Sequence, residues 1–182
     1  MIDMRGVSFS YGDKRVLQSF NLQVAAGQTI CLFGPSGCGK TTVLRLIAGL
    51  LAPDAGTVQV NGRVSMVFQE NRLIPSLTVE ENILAVASRA DALQALGLGG
   101  YENARISDLS GGMARRVAIA RAVSYGGDIL LLDEPFSGLD AENRRIAADC
   151  IRSAFKGKSI LLVSHQPEDI ELMQAEIVPL VK

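Results

Sequence analysis

Tryptophan is absent from this 182-residue chain, and phenylalanine and tyrosine together make up only 5% of it. A core must therefore be aliphatic, and with 48% hydrophobic residues there is ample material for one. Runs of Val, Ile, Leu and Ala of this kind suit a largely parallel sheet covered by helices. Histidine occurs once. Cysteine occurs three times, as Cys31, Cys38 and Cys150. That odd number, at no metal-ligand spacing, speaks against a zinc module or a disulfide framework and for reduced thiols in a cytosolic protein. Neither charge dominates, with 18 Lys and Arg against 19 Asp and Glu. A general nucleic-acid binder normally shows a basic surplus, so nucleic acid is not an expected partner. No apolar run approaches the ~20 residues needed to cross a bilayer. The first residues, "MIDMRGVSFS", lack a basic head followed by an apolar stretch, so no secretory signal is expected. Work at a membrane would need another anchor.

What is present alternates strands with helices. "IDMRGVSFS" and "RVLQSFNLQV" read as strands joined at "YGDK", and "TICLF" as a short strand running into "GPSGCGKTTVLRLIAG". There Val43, Leu44, Leu46 and Ile47 form a helical stripe that Gly49 ends. Asn61-Gly62, between two alternating runs in "TVQVNGRVSMVF", predicts a β-hairpin. "PSLTVEENILAVASRADALQALGLGG" opens with a capping box, Thr78 to Glu81, and continues as an Ala/Leu-rich helix. A further helix starts at Ser110, and "DILLLDEP" is a buried strand ending in acids. Asp140 caps a helix reaching about Phe155, and "SILLVSH" is a strand ending in the single histidine. A short helix, "PEDIELMQ", and a last strand, "EIVPLV", close the chain. This order predicts one α/β domain with a mainly parallel sheet.

"GPSGCGKTT" fits the phosphate-loop pattern G-x-x-x-x-G-K-[ST], flanked by the strand and helix that the pattern requires. Gly34, Gly37 and Gly39 allow the backbone to wrap round phosphates, and loop amides and the helix N-terminus supply positive charge. The binding set is then Gly34, Pro35, Ser36, Gly37, Cys38, Gly39, Lys40, Thr41 and Thr42. Lys40 is expected to reach the β- and γ-phosphates, with the Thr41 hydroxyl on Mg²⁺. Asp133, ending "ILLLD", supplies the other half of a metal site through water. Glu134 places a second carboxylate beside the metal, where a base polarises the water that attacks the γ-phosphate.

With these motifs in this order, the chain resembles the ATP-binding subunits of ABC transporters along essentially its whole length. "LSGGM" at Leu109–Met113 is similar to that family's signature, "VFQE" to its Q-loop, "SGLD" to its D-loop and "LLVSH" to its switch strand. The resemblance implies a P-loop NTPase (RecA-like) α/β core with a mainly parallel sheet. It adds an N-terminal antiparallel β subdomain and a shortened helical insert. Residues 1–70 and 121–182 would form the nucleotide-binding core, and about 71–120 a helical sub-lobe bearing the signature. Gln69 would sit by the metal and attacking water, His165 would sense the γ-phosphate, and Tyr11 in "FSYG" would stack on adenine. Ser110, Gly111 and Gly112 would cap the ATP held by a second cassette, in a homodimer or a paired cassette. Taken singly, Gln69, His165 and Tyr11 also read as a loop residue, a structural histidine and a packing aromatic.

"VFQENRLIPSLTVEENI", Met113, Arg116 and Arg121 further resemble the bacterial importers of nitrate, sulfonate and taurine. That branch implies a permease partner, an extracytoplasmic solute-binding protein acting through it, and a peripheral position on the cytoplasmic face of the membrane. The alternatives are a cassette acting on DNA or ribosomes, and an exporter subunit. Long coiled-coil inserts, tandem cassettes and a guanine-reading N/T-K-x-D motif are all missing from the sequence.

Overall fold

The computed structural model describes residues 1–180. Strands β1 (Ile2–Tyr11) and β2 (Lys14–Val24) form an antiparallel hairpin, with Ile2 opposite Val24 and Tyr11 opposite Lys14. Strand β4 (Ala55–Val60) pairs with the other edge of β1, Ile2 facing Val60, which gives a small sheet of order β2-β1-β4. The larger sheet comprises β3 (Thr29–Phe33), β5 (Val64–Val67), β6 (Ile129–Asp133), β7 (Ser159–Val163) and β8 (Glu176–Pro179). Its order is β5-β6-β7-β3-β8 and every pairing is parallel. Of the expected last strand "EIVPLV", the final Val181 lies outside the described residues.

The hairpin expected at Asn61-Gly62 does not form: β4 belongs to the small sheet and β5 to the large one. Asn61 instead donates its N–H to the Met1 carbonyl. Two residues on, Arg63 donates its N–H to Asp128 Oδ2 at 2.8 Å and accepts from the Asp128 N–H at 2.8 Å. The turn residues therefore bridge two sheets. The half-buried β5 has its ladder satisfied by β6, and the side-chain alternation that suggested a hairpin is silent about which strand is the partner.

Parallel strands buried on both faces divide their side chains between two layers. Ile129 and Leu131 pack with Ile30, Leu32, Leu161 and helix α1 (Lys40–Ile47) against the small sheet. Leu130 and Leu132 face the opposite layer with Cys31, Ile160 and Leu162. That layer holds α2 (Val79–Leu84), α3 (Ala92–Ala95), α4 (Gly111–Tyr125), α5 (Ala141–Ala154) and α6 (Pro167–Met173). All five residues of β6 are buried, and each leucine there contributes roughly 1.5–3 kcal/mol. The cysteines are free, and burial pushes the Cys31 thiol up to about 11.

The continuous helix expected after Thr78 is instead two short ones. The capping box is in place, with Glu81 N–H donating to Thr78 Oγ1 and Thr78 N–H to Glu81 Oε2. Beyond Leu84 the chain breaks, so that Val79 and Ile83 on one piece and Leu93, Leu96 and Leu98 on the other all reach the same core. One straight helix presents a single stripe and cannot turn both groups inward, so tertiary burial overrides the helix preference of the Ala-rich stretch. Ser110 and Asp140 cap α4 and α5 as expected, accepting the Met113 N–H at 3.2 Å and the Asn143 N–H at 2.8 Å.

The Asp140 cap makes part of the stability pH-dependent. Hydrogen bonds from the backbone and side chain of Asn143 hold its carboxyl below the usual carboxylate range. A depressed folded pKa gives stabilisation that is complete above the unfolded value, about 3.9, and is lost as pH falls through the folded one. Asp140→Ala should therefore lower the Tm at neutral pH, and the gap from wild type should narrow as pH drops below about 4. Thermal unfolding of both proteins across pH checks this.

Candidate active site

Because the strands of the large sheet are parallel, the segments leaving β3, β5, β6 and β7 emerge at one edge. They are the Gly34–Gly39 loop, Phe68-Gln69, Glu134-Pro135 and Ser164-His165. Open parallel sheets bind ligands at this carboxyl edge.

The loop after β3 is shaped by its glycines. Gly39, which opens α1, has φ +110°, a conformation open to glycine and costly for other residues. At Gly34 a Cβ would lie 2.4 Å from the Leu180 carbonyl oxygen, so the close approach excludes any side chain. Lys40 is buried beneath the loop, its Nζ donating to the carbonyls of Gly34 at 2.6 Å and Pro35 at 2.9 Å. The cradle thus closes round its own ammonium, beside first-turn amides of α1 that lack intrahelical acceptors. Cys38 turns its thiol into the core beneath the small sheet.

Thr41, one residue into α1, donates its hydroxyl to Asp133 Oδ1 at 3.1 Å. Burial raises the Asp133 pKa, and the Thr41 bond works against that rise. Glu134 follows with φ +49°, left-handed for a residue that has a Cβ, which stores roughly 1–2 kcal/mol of strain. Its N–H donates to the Val163 carbonyl at 2.9 Å, and its Oε1 lies 2.9 Å from His165 Nδ1. The His165 side chain is otherwise exposed.

A cleft of about 330 Å³ is lined by Tyr11, Ser36, Gly37, Gly39, Lys40, Thr41, Thr42, Gln69, Asp133 and Glu134, among others. Gly34, Pro35 and His165 line an adjoining hollow that shares Ser36, Lys40 and Glu134. Tyr11 stands at the end of β1, edge-on to Phe9 with centroids 4.9 Å apart, and is substantially exposed. Among the described residues no cluster of three or more His, Cys, Asp or Glu side chains could cage a metal. The oxygens of Thr41, Asp133 and Gln69 instead suit a hard divalent cation that keeps water and phosphate ligands.

Ser110, Gly111 and Gly112 do not line this cleft. They sit at the start of α4, with Gly112 near the Gly138 carbonyl. Sequence reasoning also passed over Arg115 on the same helix. Only 3% exposed, it donates hydrogen bonds to carbonyls on both the Gln69 and the Glu134 segments. Arg116 and Arg121, which the sequence did single out, donate instead to the carbonyls of Leu96 and Arg72, each at 2.7 Å.

A phosphate cradle, a buried aspartate and a polar cleft at the carboxyl edge of a parallel sheet define a P-loop NTPase. The family model described as "ABC transporter" matches residues 17–137. The aliphatic sulfonates import ATP-binding protein of Paraburkholderia xenovorans is 40% identical over 177 residues, covering 92% of this chain and 72% of its own length. The taurine import ATP-binding protein of Yersinia pestis is 39% identical over 199 residues, covering 97% of this chain and 78% of its own. The Nod factor export ATP-binding protein I of Paraburkholderia xenovorans is 39% identical over 195 residues, covering 93% and 64%. A dimeric ATP-binding cassette in a post-hydrolysis state, bound to ADP and Pi, superposes with a TM-score of 0.88 at 26% identity, over 98% of this chain and 94% of that one. The chain belongs to the ABC transporter family, as an ATP-binding cassette with ATPase activity.

Proposed function

We propose that this cassette hydrolyses ATP as one of a face-to-face pair and thereby drives a membrane permease that imports a small organic or inorganic anion. One observation carries the reading. Lys40, Thr41, Gln69, Asp133 and Glu134 share a cleft from which Ser110, Gly111 and Gly112 are absent. The helix start at Ser110 is left to serve another copy.

In that arrangement Lys40 leaves the Gly34 and Pro35 carbonyls for the β- and γ-phosphates, and the loop amides hold the remaining oxygens. Thr41 and Gln69, with Asp133 through water, would hold Mg²⁺, which when bound would neutralise charge on the phosphate oxygens. Tyr11 offers its ring to adenine. Glu134 accepts a proton from the attacking water, and His165 positions Glu134 and contacts the γ-phosphate. Ser110, Gly111 and Gly112 close over that phosphate from the other copy, and its release as Pi opens the pair. The short helical lobe at about 71–120 passes the motion to the permease on the cytoplasmic face, with a solute-binding protein on the far side. No helix among the described residues is long and apolar enough to cross a membrane.

The export protein among the relatives is a specific reason to keep an exporter as the second reading. Reconstitution with the permease in liposomes tests both. Hydrolysis should rise when permease is present and rise again with the solute-binding protein and its anion outside. A rate indifferent to the permease overturns transport coupling, and solute movement toward the outside selects export.

A further inference from the structure

We propose that Arg115 is a positioning residue for hydrolysis, holding the backbone of Gln69 and Glu134 at a fixed separation and tying both to the helix that starts at Ser110. The inference rests on the roles proposed above for Gln69 and Glu134.

The contacts divide between the nitrogens of one guanidinium. Nη1 donates to the carbonyls of Phe68 at 2.5 Å and Gln69 at 3.2 Å, and to Asn71 Oδ1 at 3.2 Å. Nη2 donates to the carbonyls of Asp133 at 2.9 Å and Glu134 at 2.6 Å. Nε takes the Pro135 carbonyl at 2.8 Å. The Phe68 and Gln69 carbonyls belong to the two peptide groups flanking the Gln69 Cα. The Asp133 and Glu134 carbonyls flank the Glu134 Cα in the same way. Holding both flanking peptide planes fixes φ and ψ together, and at Glu134 the φ held is the left-handed +49°.

Geometry makes the arrangement specific to arginine. The guanidinium is planar, so its two terminal nitrogens hold the two segments at a set distance. A lysine ammonium is a single point and cannot reproduce the fork. Burial lowers the Arg115 pKa to about 10, which leaves the side chain cationic at neutral pH. Arg115 stands five residues beyond the Ser110 cap on one continuous helix, so a shift of that helix is carried to both segments at once. None of these contacts reaches the Gly34–Gly39 loop or Lys40, so metal-free nucleotide binding should be spared.

The test uses the purified full chain with Mg²⁺-ATP, as Arg115→Lys and Arg115→Gln, alone and combined with Glu134→Gln. Misplacing catalytic groups by a fraction of an ångström should lower kcat about tenfold or more. The affinity for ADP without metal should stay within about threefold, since the phosphate loop is untouched. Adding R115K to E134Q should lower residual turnover less than about twofold, because the two substitutions act on the same step. If R115Q fails to fold, R115K decides, since it keeps the charge and reaches one segment only. Wild-type kcat in R115K overturns the proposal. So does a loss of kcat that is matched by the loss of ADP affinity and Tm, which marks simple packing. Free turnover by E134Q alone overturns the site reading, and the role of Arg115 falls with it.

Discussion

Glu134→Gln is expected to lower steady-state ATP hydrolysis by about 10²–10³-fold while leaving ATP binding intact. The glutamine keeps the size and hydrogen-bonding length of the side chain but cannot accept a proton from water. It still lies within reach of His165, now 2.9 Å from Glu134 Oε1, so the position of the ring should change little. None of the phosphate-loop contacts involves Glu134, and Lys40 is held by Gly34 and Pro35 instead. With binding retained and the chemical step blocked, the closed pair should accumulate. Phosphate release should fall while size-exclusion chromatography with ATP shifts the chain to twice its mass. A variant that hydrolyses freely, or that stays monomeric with ATP, counts against Glu134 as the base.

Local patterns made much of this legible in advance. "ILLLD" is apolar up to its last residue, which only a strand covered on both faces tolerates, and β6 is buried throughout. The caps at Thr78, Ser110 and Asp140 depend on side chains reaching N–H groups three residues away, so spacing alone locates them. What escaped depends on partners remote in sequence. Asn61-Gly62 fits a hairpin turn, but the strands it joins pair with β1 and β6, and that choice is settled by the burial of β5. Arg115 shares its helix with Arg116 and Arg121, and nothing in its spacing sets it apart from them. Its burial follows from carbonyls at residues 68–69 and 133–135, which no periodicity reveals. The positive φ of Glu134 was equally hidden, since glutamate has no preference for it. The loop after β3 was legible because one contiguous run of sequence builds it; the contacts of Arg115 join three separate segments.

The proposed pairing makes a sharper demand than single substitutions can. Lys40→Ala removes the ammonium from the phosphate loop, and Ser110→Arg places a bulky cation where the partner's γ-phosphate would be capped. Each protein alone should lose about 10²-fold or more in turnover, because both sites of a symmetric pair carry the defect. Mixed, they form pairs in which one site combines the intact loop of the S110R chain with the intact cap of the K40A chain. Random pairing makes half the dimers mixed, each with one working site, so about a quarter of wild-type turnover should return. Ser110 does not line its own chain's cleft, so loss of activity in S110R with ADP affinity unchanged already points to action in trans. A mixture no more active than its components would mean that the helix start at Ser110 serves no second nucleotide, or that both sites must be intact for either to fire. Titrating K40A against S110R separates these, since the first leaves S110R alone active and the second leaves every combination dead.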